Sequence, residues 1–378
     1  MVNLYLTADN IGTQTGGGAV TFHESKSLKE LGSCEVWDRK GLEGKPPMPK
    51  DEPWRWDAAA LCRLWELDPD LSIGLVHGYA GTFSDSIRHL KLRKGIKVCW
   101  TVAAHDLEES IKEHEKVYGS YPFHHMSDPV QFARYKQGYL DADVVVCPSQ
   151  YSADIMRRYG RTGRIEVIPH GCDLPEKVAP LPERFTVGML GQYGPDKGAI
   201  YLLEAWKKLA YKDAILLLAG RDTAKPEVQA WCRQHGGGNI WFAGWMNDVS
   251  DFYNAISVLA VPSVSEAFNI EVLEAMVYGR PVICSRGAGA FELTEVPGIE
   301  PRDVEGLAKR IHEMYEVHTG AKKYIPCRKD GSQQIDEDFP NGLIDLVAIG
   351  NYNRTLAEKY TWDKIRLRYQ SLWRELLA

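Results

Sequence analysis

Short apolar runs rich in β-branched residues recur along the chain, and amphipathic stretches separate most of them. Near-continuous apolar strands that alternate with helices are typical of parallel sheets covered by helices on both faces. The rhythm starts again after residue 184, so we predict an α/β protein with two doubly wound, Rossmann-like domains. The predicted strands are Val2–Thr7, Ser72–Val76, Ile96–Val102, Asp143–Cys147, Ile165–Ile168, Thr186–Leu190, Ala214–Ala219, Ile240–Phe242, Ser257–Val261 and Pro281–Cys284.

A segment rich in proline and charge, Asp173–Arg184, separates the two sets of strands and suits an interdomain linker. We therefore predict an N-terminal domain over residues 1–180 and a second domain over residues 184–360. Ligands of such sheets bind beyond the carboxyl ends of the strands, so we expect the loops of two facing domains to form a cleft. Residues 361–378 carry apolar side chains at helical spacing and predict a helix that packs back on the N-terminal domain.

Two segments break this pattern. Lys40–Pro53 is rich in proline and charge and predicts a loop, whereas the polar segment His318–Asn341 predicts an insertion.

Composition narrows the class of protein. The 378 residues are 44% hydrophobic and 25% charged, with a net charge of -6, which gives no reason to expect nucleic acid as a partner. The eight cysteines form no C-x-x-C pair and have no zinc-like spacing, so we expect free thiols in a reducing compartment. We expect no signal peptide and no membrane span, and hence a cytoplasmic protein.

Basic residues cluster at Arg88–Lys97 and at Arg157–Arg164. A solvated helix face is the favoured interpretation. Peripheral contact with the inner face of a membrane is the alternative.

The stretch between Val261 and Ile283 carries the strongest chemical signal. We predict that Asn269 caps a helix over Ile270–Tyr278, with Gly279 just past its end. The start of a helix presents free N–H groups and about half a positive charge, which attract phosphate.

Two acids flank this helix start. Glu274 lies about five residues further along, or roughly 7 Å at 1.5 Å per residue, where a carboxylate can accept from the hydroxyls of a ribose. Glu266 precedes the helix, on the side where a sugar attached to the phosphate would lie.

Glu266 and Glu274 form an E-x7-E pair inside S-x-x-S-E-A-F-x-I-x-x-L-E-A-M-x-x-G-x-P-V-I. This pattern resembles the signature of glycosyltransferase family 4, whose members have the GT-B fold and retain the anomeric configuration. The resemblance implies a hexosyltransferase that moves a sugar from a nucleotide-diphosphate donor, most readily a UDP- or GDP-sugar, to an acceptor hydroxyl on a glycan, lipid or small molecule. No cofactor is expected, and no metal, since the helix dipole and a lysine would stabilise the departing diphosphate.

Other segments fit the same family in the same order. Gly191-Gln-Tyr-Gly-Pro-Asp-Lys-Gly198 resembles the family's G-R-L…K-G loop, in which Lys197 would bind the diphosphate. Phe242–Met246 resembles a segment near the nucleotide base, and Gly287–Glu292 resembles a glycine-rich turn. The expected donor-binding residues are Gly16, Gly17, Gly18, Gly191, Gln192, Lys197, Arg221, Trp245, Met246, Ala267, Phe268, Asn269, Ile270 and Glu274.

The N-terminal half contributes fewer candidates. The glycines of Thr15-Gly-Gly-Gly18 follow the first strand and would let the backbone approach a phosphate or sugar. Thr101-Val-Ala-Ala-His-Asp106 resembles the family's T-x-H-D segment, which implies that His105 reaches the donor sugar. His77, at a similar strand position, is a weaker candidate. The expected catalytic residues are His105, Glu266 and Lys197.

Two residues depart from the family pattern. Gln192 stands where arginine is usual, and the lost charge should weaken diphosphate binding unless Arg221 compensates. Asn269 stands where glycine is common and could crowd or cap the phosphate.

Three other functions are alternatives for a chain with these residues. A hydrolase would aim Glu266 and Glu274 at one glycosidic bond, and the phosphate-ready helix start between them argues against it. A GT-B sugar-nucleotide epimerase is disfavoured by the Glu-Ala-Phe context. A nucleotide-sugar-binding protein with little catalysis is supported by Gln192.

Overall fold

The computed structural model describes residues 1–7, 11–12, 15–42, 55–67, 72–79, 83–103, 106–117, 129–294, 296, 298–322 and 345–378. Most of the predicted loop Lys40–Pro53 and most of the predicted insertion His318–Asn341 lie outside these residues, as does His105.

The chain forms two compact units, each built on its own sheet. The first unit comprises residues 1–105, 127–171 and 362–378, and the second comprises residues 106–126 and 172–361. Residues 106–126 thus group with the second unit, although the sequence placed them in the N-terminal domain. Their helix turns its acidic residues toward that unit, where Glu113 accepts a hydrogen bond from Arg302, 2.7 Å away.

The first unit contains a six-stranded parallel sheet in the order β2-β1-β3-β4-β5-β6. Its strands are β1 Val2–Thr7, β2 Cys34–Trp37, β3 Ile73–Tyr79, β4 Lys97–Thr101, β5 Val144–Cys147 and β6 Arg164–Val167. The sequence did not predict β2, because this edge strand is short and carries the charged Glu35 in its middle. Every residue of β3 is buried, as expected for a strand covered on both faces.

The second unit contains a five-stranded parallel sheet in the order β11-β10-β7-β8-β9. Its strands are β7 Thr186–Leu190, β8 Ile215–Ala219, β9 Ile240–Gly244, β10 Val258–Val261 and β11 Val282–Cys284. The strand order reverses between β7 and β10, and ligands of doubly wound sheets bind at such a switch point. The loops that follow β7 and β10 carry Lys197 and Glu266, respectively.

Helices separate the strands in both units, and the prediction of two Rossmann-like α/β domains is confirmed. They are α1 Gly16–Lys29, α2 Arg39–Leu42, α3 Arg55–Glu66, α4 Ser84–Leu92, α5 Leu107–Val117, α6 Pro129–Asp141, α7 Gln150–Arg158, α8 Ala199–Leu209, α9 Pro226–Gly236, α10 Ser250–Ala255, α11 Ile270–Val277, α12 Val304–His318, α13 Leu346–Ala357 and α14 Trp362–Leu377.

The last helix, α14, belongs to the first unit and packs beside α1. The Trp362 ring stacks on His23 with centroids 4.3 Å apart. Further along the helix, Trp373 donates from Nε1 to Nδ1 of the buried His77, 3.2 Å away. These aromatic contacts anchor the end of the chain in the core of the first unit.

The seven described cysteines are free thiols, in agreement with the prediction, and Cys327 lies outside the described residues.

Candidate functional site

Two loops of the second unit meet at the switch point of its sheet. One follows β7 through the 3₁₀ turn Pro195–Lys197 into α8, and the other follows β10 into α11. The Val264 N–H donates to the carbonyl oxygen of Asp196, 2.6 Å away. Gly198 has φ +69°, and a Cβ there would lie 2.1 Å from the carbonyl oxygen of Pro262. Only glycine allows this close approach, which brings Lys197 beside the second loop.

Lys197 lies between two carboxylates. Its Nζ is 3.1 Å from Oε2 of Glu266 and 3.4 Å from Oε1 of Glu271, and its side chain is 19% exposed. Burial lowers the pKa of Lys197, but the two carboxylates outweigh that effect and raise the pKa well above its ordinary value. The ammonium is therefore charged at every physiological pH.

The backbone of Glu266 is hydrogen-bonded to the glycine-rich turn that follows β11. Its N–H donates to the carbonyl oxygen of Gly287, 2.8 Å away, and its carbonyl oxygen accepts from the Gly289 N–H at 3.0 Å. A Cβ at Gly287 would lie 2.3 Å from the carbonyl oxygen of Val264. The Gly287–Glu292 segment therefore has a structural role, because its backbone fixes the position of the loop that carries Glu266.

Asn269 occupies the N-cap position of α11, but it does not cap the helix as predicted. Its backbone is left-handed, with φ +82° and ψ +81°, and its side chain accepts no hydrogen bond from the helix. Its Nδ2 instead donates to Oε1 of Glu271 at 2.9 Å and to Oγ of Ser263 at 3.3 Å. The left-handed conformation explains why glycine suits this position and why asparagine, which tolerates it, can replace glycine.

Glu274 lies on α11 and accepts a hydrogen bond from the Tyr253 hydroxyl, 2.5 Å away. Burial raises the pKa of Glu274 to about 7, the hydrogen bond from Tyr253 opposes this rise, and the charges of Glu271 and Asp173 add to it. A carboxylate with these neighbours can accept from ligand hydroxyls while tyrosine holds its orientation.

The expected base-binding segment lies after β9. The Arg221 guanidinium lies 5.1 Å from the centroid of the Trp245 ring, and Trp245 Nε1 donates to Oδ1 of Asn247 at 3.0 Å. The Trp245 side chain is 42% exposed and presents an aromatic face. Met246 packs against the apolar cluster that contains Leu273 of α11.

The remaining candidates differ in what they offer a ligand. The side chains of Ala267 and Phe268 are buried, so these residues can contact a ligand only through their backbone. Ile270 begins α11 and is half-buried, whereas Gln192 is exposed. Gly191 follows β7 with φ +133°.

The candidates of the first unit lie at the start of α1. Gly16, Gly17 and Gly18 form its first turn, where Oγ1 of Thr15 accepts from the Gly18 N–H at 3.1 Å. His77 is fully buried, with Nε2 3.3 Å from Oε2 of Glu24, so the weaker candidacy of His77 as a sugar ligand is wrong. Its two ring nitrogens contact other buried side chains, Nδ1 facing Trp373 and Nε2 facing Glu24.

Sequence reasoning missed Glu271 and Tyr253. Glu271 stands in the first turn of the helix whose start was assigned to phosphate, and an acid at that place was a detectable signal. Tyr253 gave no such signal, because only folding brings α10 beside α11.

Among the described residues, no group of three or more histidines, cysteines, aspartates and glutamates could hold a metal ion. D-x-D sequences occur at residues 68–70, 141–143 and 336–338. The structure describes the second one, in which Asp143 pairs with Lys91 and accepts from the Val98 N–H at 2.8 Å. This aspartate holds a strand and a helix together.

Comparison with known proteins gives two family matches. Residues 21–176 match the model of Glycosyltransferase Family 4, and residues 184–316 match that of Glycosyl transferases group 1. Each half of the chain therefore matches a glycosyltransferase family model, and together the two matches cover most of the chain.

The chain is 30% identical over 257 residues to the lipopolysaccharide 1,2-N-acetylglucosaminetransferase of Salmonella typhimurium, an alignment that covers 61% of each chain. Sucrose-phosphate synthase from Thermosynechococcus elongatus shares its fold with a TM-score of 0.75 at 18% identity, covering 100% of this chain and 99% of the other. The Anabaena protein HepE, in complex with UDP and glucose, has a TM-score of 0.64 at 16% identity, covering 99% and 100% of the two chains.

The matched region spans less than half the length of several curated relatives, from 41% to 48%. Within the described part of the chain, no helix combines the length and the apolar character needed to cross a membrane.

Proposed function

We propose that the protein transfers a sugar from a nucleoside-diphosphate donor to an acceptor hydroxyl, with retention of the anomeric configuration. One observation carries the proposal. At the switch point of the second sheet, the Lys197 ammonium lies 3.1 Å from Glu266, just before a helix that carries Glu274. A carboxylate, a cation beside a helix start and a second carboxylate further along the helix suit a sugar, a diphosphate and a ribose in that order.

Each group has a separate task in this proposal. The free N–H groups at Ile270 and the Lys197 ammonium stabilise the negative charge that grows on the departing diphosphate. Glu274 accepts from the ribose hydroxyls, and Glu266 orients the hydroxyls of the transferred sugar. The acceptor hydroxyl attacks from the face that the phosphate leaves. Trp245 offers its aromatic face to the base.

Two similarities guide the choice of donor and acceptor. HepE, which has the same fold, forms complexes with UDP and with UDP-glucose, so a uridine donor is the first to test. The Salmonella relative is a lipopolysaccharide transferase, which directs the search for the acceptor toward glycolipids.

An acceptor of that kind would bring the first unit to a membrane surface. The exposed side chains of Trp65 and Leu92 lie on neighbouring helices, and Trp65 contacts His89 with ring centroids 6.3 Å apart. Arg88 and Lys94 flank them and are exposed. An aromatic and an aliphatic side chain among cations suit the interface of an anionic bilayer.

A thermal-shift screen with UDP, GDP, ADP and TDP tests the donor site first. One nucleotide should raise the melting temperature in a concentration-dependent manner, and the matching sugar nucleotide should then be hydrolysed slowly without acceptor. No shift with any of the four would reject the nucleotide site. A shift without any hydrolysis would favour the alternative of a binding protein with little catalysis, which Gln192 supports.

A further inference from the structure

The cluster around Lys197 holds one more negative charge than the proposed chemistry needs. Lys197 is a single cation within 3.4 Å of two carboxylates, Glu266 and Glu271. A diphosphate that docks on Lys197 therefore enters a site whose nearest charges already favour the carboxylates. The charge balance requires one of them to give way.

Glu271 is the carboxylate placed to do so. It is the second residue of α11, where the free N–H groups and the helix dipole favour an anion. Its Oε1 accepts from Asn269 Nδ2 and also faces the Lys197 ammonium. A carboxylate in the first turn of a helix, with an amide donor and an ammonium beside it, has the surroundings that favour a phosphate.

The side-chain oxygen of Asn269 is a second, independent observation that points to a ligand at this place. Its side chain is only 4% exposed, and its Oδ1 accepts no hydrogen bond from any described residue. The orientation of the amide is dictated by chemistry, since Glu271 can only accept and Nδ2 must face it. A buried amide oxygen without a donor is costly, and a ligand hydroxyl or a rearranged amide would satisfy it.

We propose that Glu271 is an internal counter-anion that holds Lys197 at the phosphate position of the donor site and must release Lys197 before a donor binds. This inference rests on the proposed function, and it adds a residue that determines specificity. Small anions that offer only phosphate charge cannot displace Glu271 effectively. A nucleoside diphosphate can, because its ribose and base add contacts at Glu274 and Trp245.

Isothermal titration of the wild-type chain and of Glu271→Gln with UDP, inorganic pyrophosphate and uridine tests the proposal. Glutamine keeps an acceptor for Asn269 but removes the charge. The variant should bind UDP and pyrophosphate roughly tenfold to a hundredfold more tightly, the size expected for one close charged contact, with no change for uridine. Glu271→Ala should show the same direction.

Glu305→Gln is the matched control. Glu305 also lies in the first turn of a helix and pairs with a lysine, Lys208 at the far end of α8, so its substitution should leave all three affinities unchanged. Unchanged or weaker UDP and pyrophosphate binding by Glu271→Gln would overturn the proposal while leaving the donor site intact. Tighter pyrophosphate binding with no UDP binding in any chain would keep the counter-anion and reject the nucleotide site. No binding of either ligand by any chain would reject both.

Discussion

The Tyr253 hydroxyl donates a hydrogen bond to the Glu274 carboxylate across 2.5 Å, which joins α10 to the middle of α11. Glu274 has a pKa raised to about 7 by burial, although the Tyr253 hydrogen bond acts to lower it. Tyrosine therefore keeps a half-buried carboxyl group oriented and partly ionised near neutral pH. A ribose-binding acid needs both properties.

Replacing Glu274 by alanine should abolish the thermal shift caused by the best nucleotide, because the ribose hydroxyls lose their acceptor. The measurement is the melting temperature with and without that nucleotide, and Glu305→Ala serves as a control with the same truncation at an exposed site. An undiminished shift in Glu274→Ala would remove the ribose assignment.

The raised pKa of Glu274 also makes stability depend on pH. Because its folded-state pKa of about 7 exceeds the ordinary value of 4.5, ionisation opposes folding, and this group's contribution to the free energy of unfolding decreases as pH rises between these values. The loss is about 3 kcal/mol, since one pKa unit corresponds to about 1.4 kcal/mol. Glu274→Gln should therefore be more stable than the wild type at about pH 8, and urea unfolding should show the difference shrinking toward about pH 5. A constant difference across this range would contradict the assigned cause.

Substituting Lys197 by methionine should lower turnover by about a hundredfold to a thousandfold, the usual effect of removing one group that stabilises a developing anion. The rate of donor hydrolysis measures it. Because the substitution also leaves Glu266 and Glu271 without their cation, a double variant with Glu271→Gln separates the two effects. The double variant should recover stability but not turnover, and recovered turnover would deny Lys197 a catalytic role.

Chelation should leave the reaction unaffected if the helix start and Lys197 alone stabilise the diphosphate. We expect the same rate of donor hydrolysis before and after treatment with EDTA. The nucleotide-induced thermal shift, measured in the same samples, shows whether the donor still binds. Activity that disappears with EDTA and returns with Mn²⁺ would reject a metal-independent mechanism.

The double variant Trp65→Ala, Leu92→Ala should weaken binding to vesicles that contain phosphatidylglycerol, because two exposed apolar side chains no longer enter the interface. Sedimentation with the vesicles measures this binding. Trp241→Ala removes another exposed tryptophan, 56% exposed against 65% for Trp65, from the second unit and should have no effect. Equal losses in the two variants would assign the binding to nonspecific adsorption.

The sequence alone predicted two parallel sheets, the E-x7-E helix and the resemblance to glycosyltransferase family 4, because these depend on local periodicity and on a contiguous motif. It placed β1 and β7 with their observed limits, since a run of apolar residues between polar turns specifies a buried strand. It missed β2, whose exposed edge position leaves little apolar signal.

Only the tertiary structure decides which charged and hydrogen-bonding groups of the site lie next to one another. Lys197 and Glu271 are 74 positions apart, and their contact exists because two loops meet where the strand order reverses. The hydrogen bond between Tyr253 and Glu274 likewise forms only because folding brings two helices together. Helix α5 groups with the second unit for the same reason, through contacts with residues far along the chain. Pattern specifies which segments are buried, but only packing decides which buried or half-buried groups face one another, and those pairings set the pKa values and charge balance on which function depends.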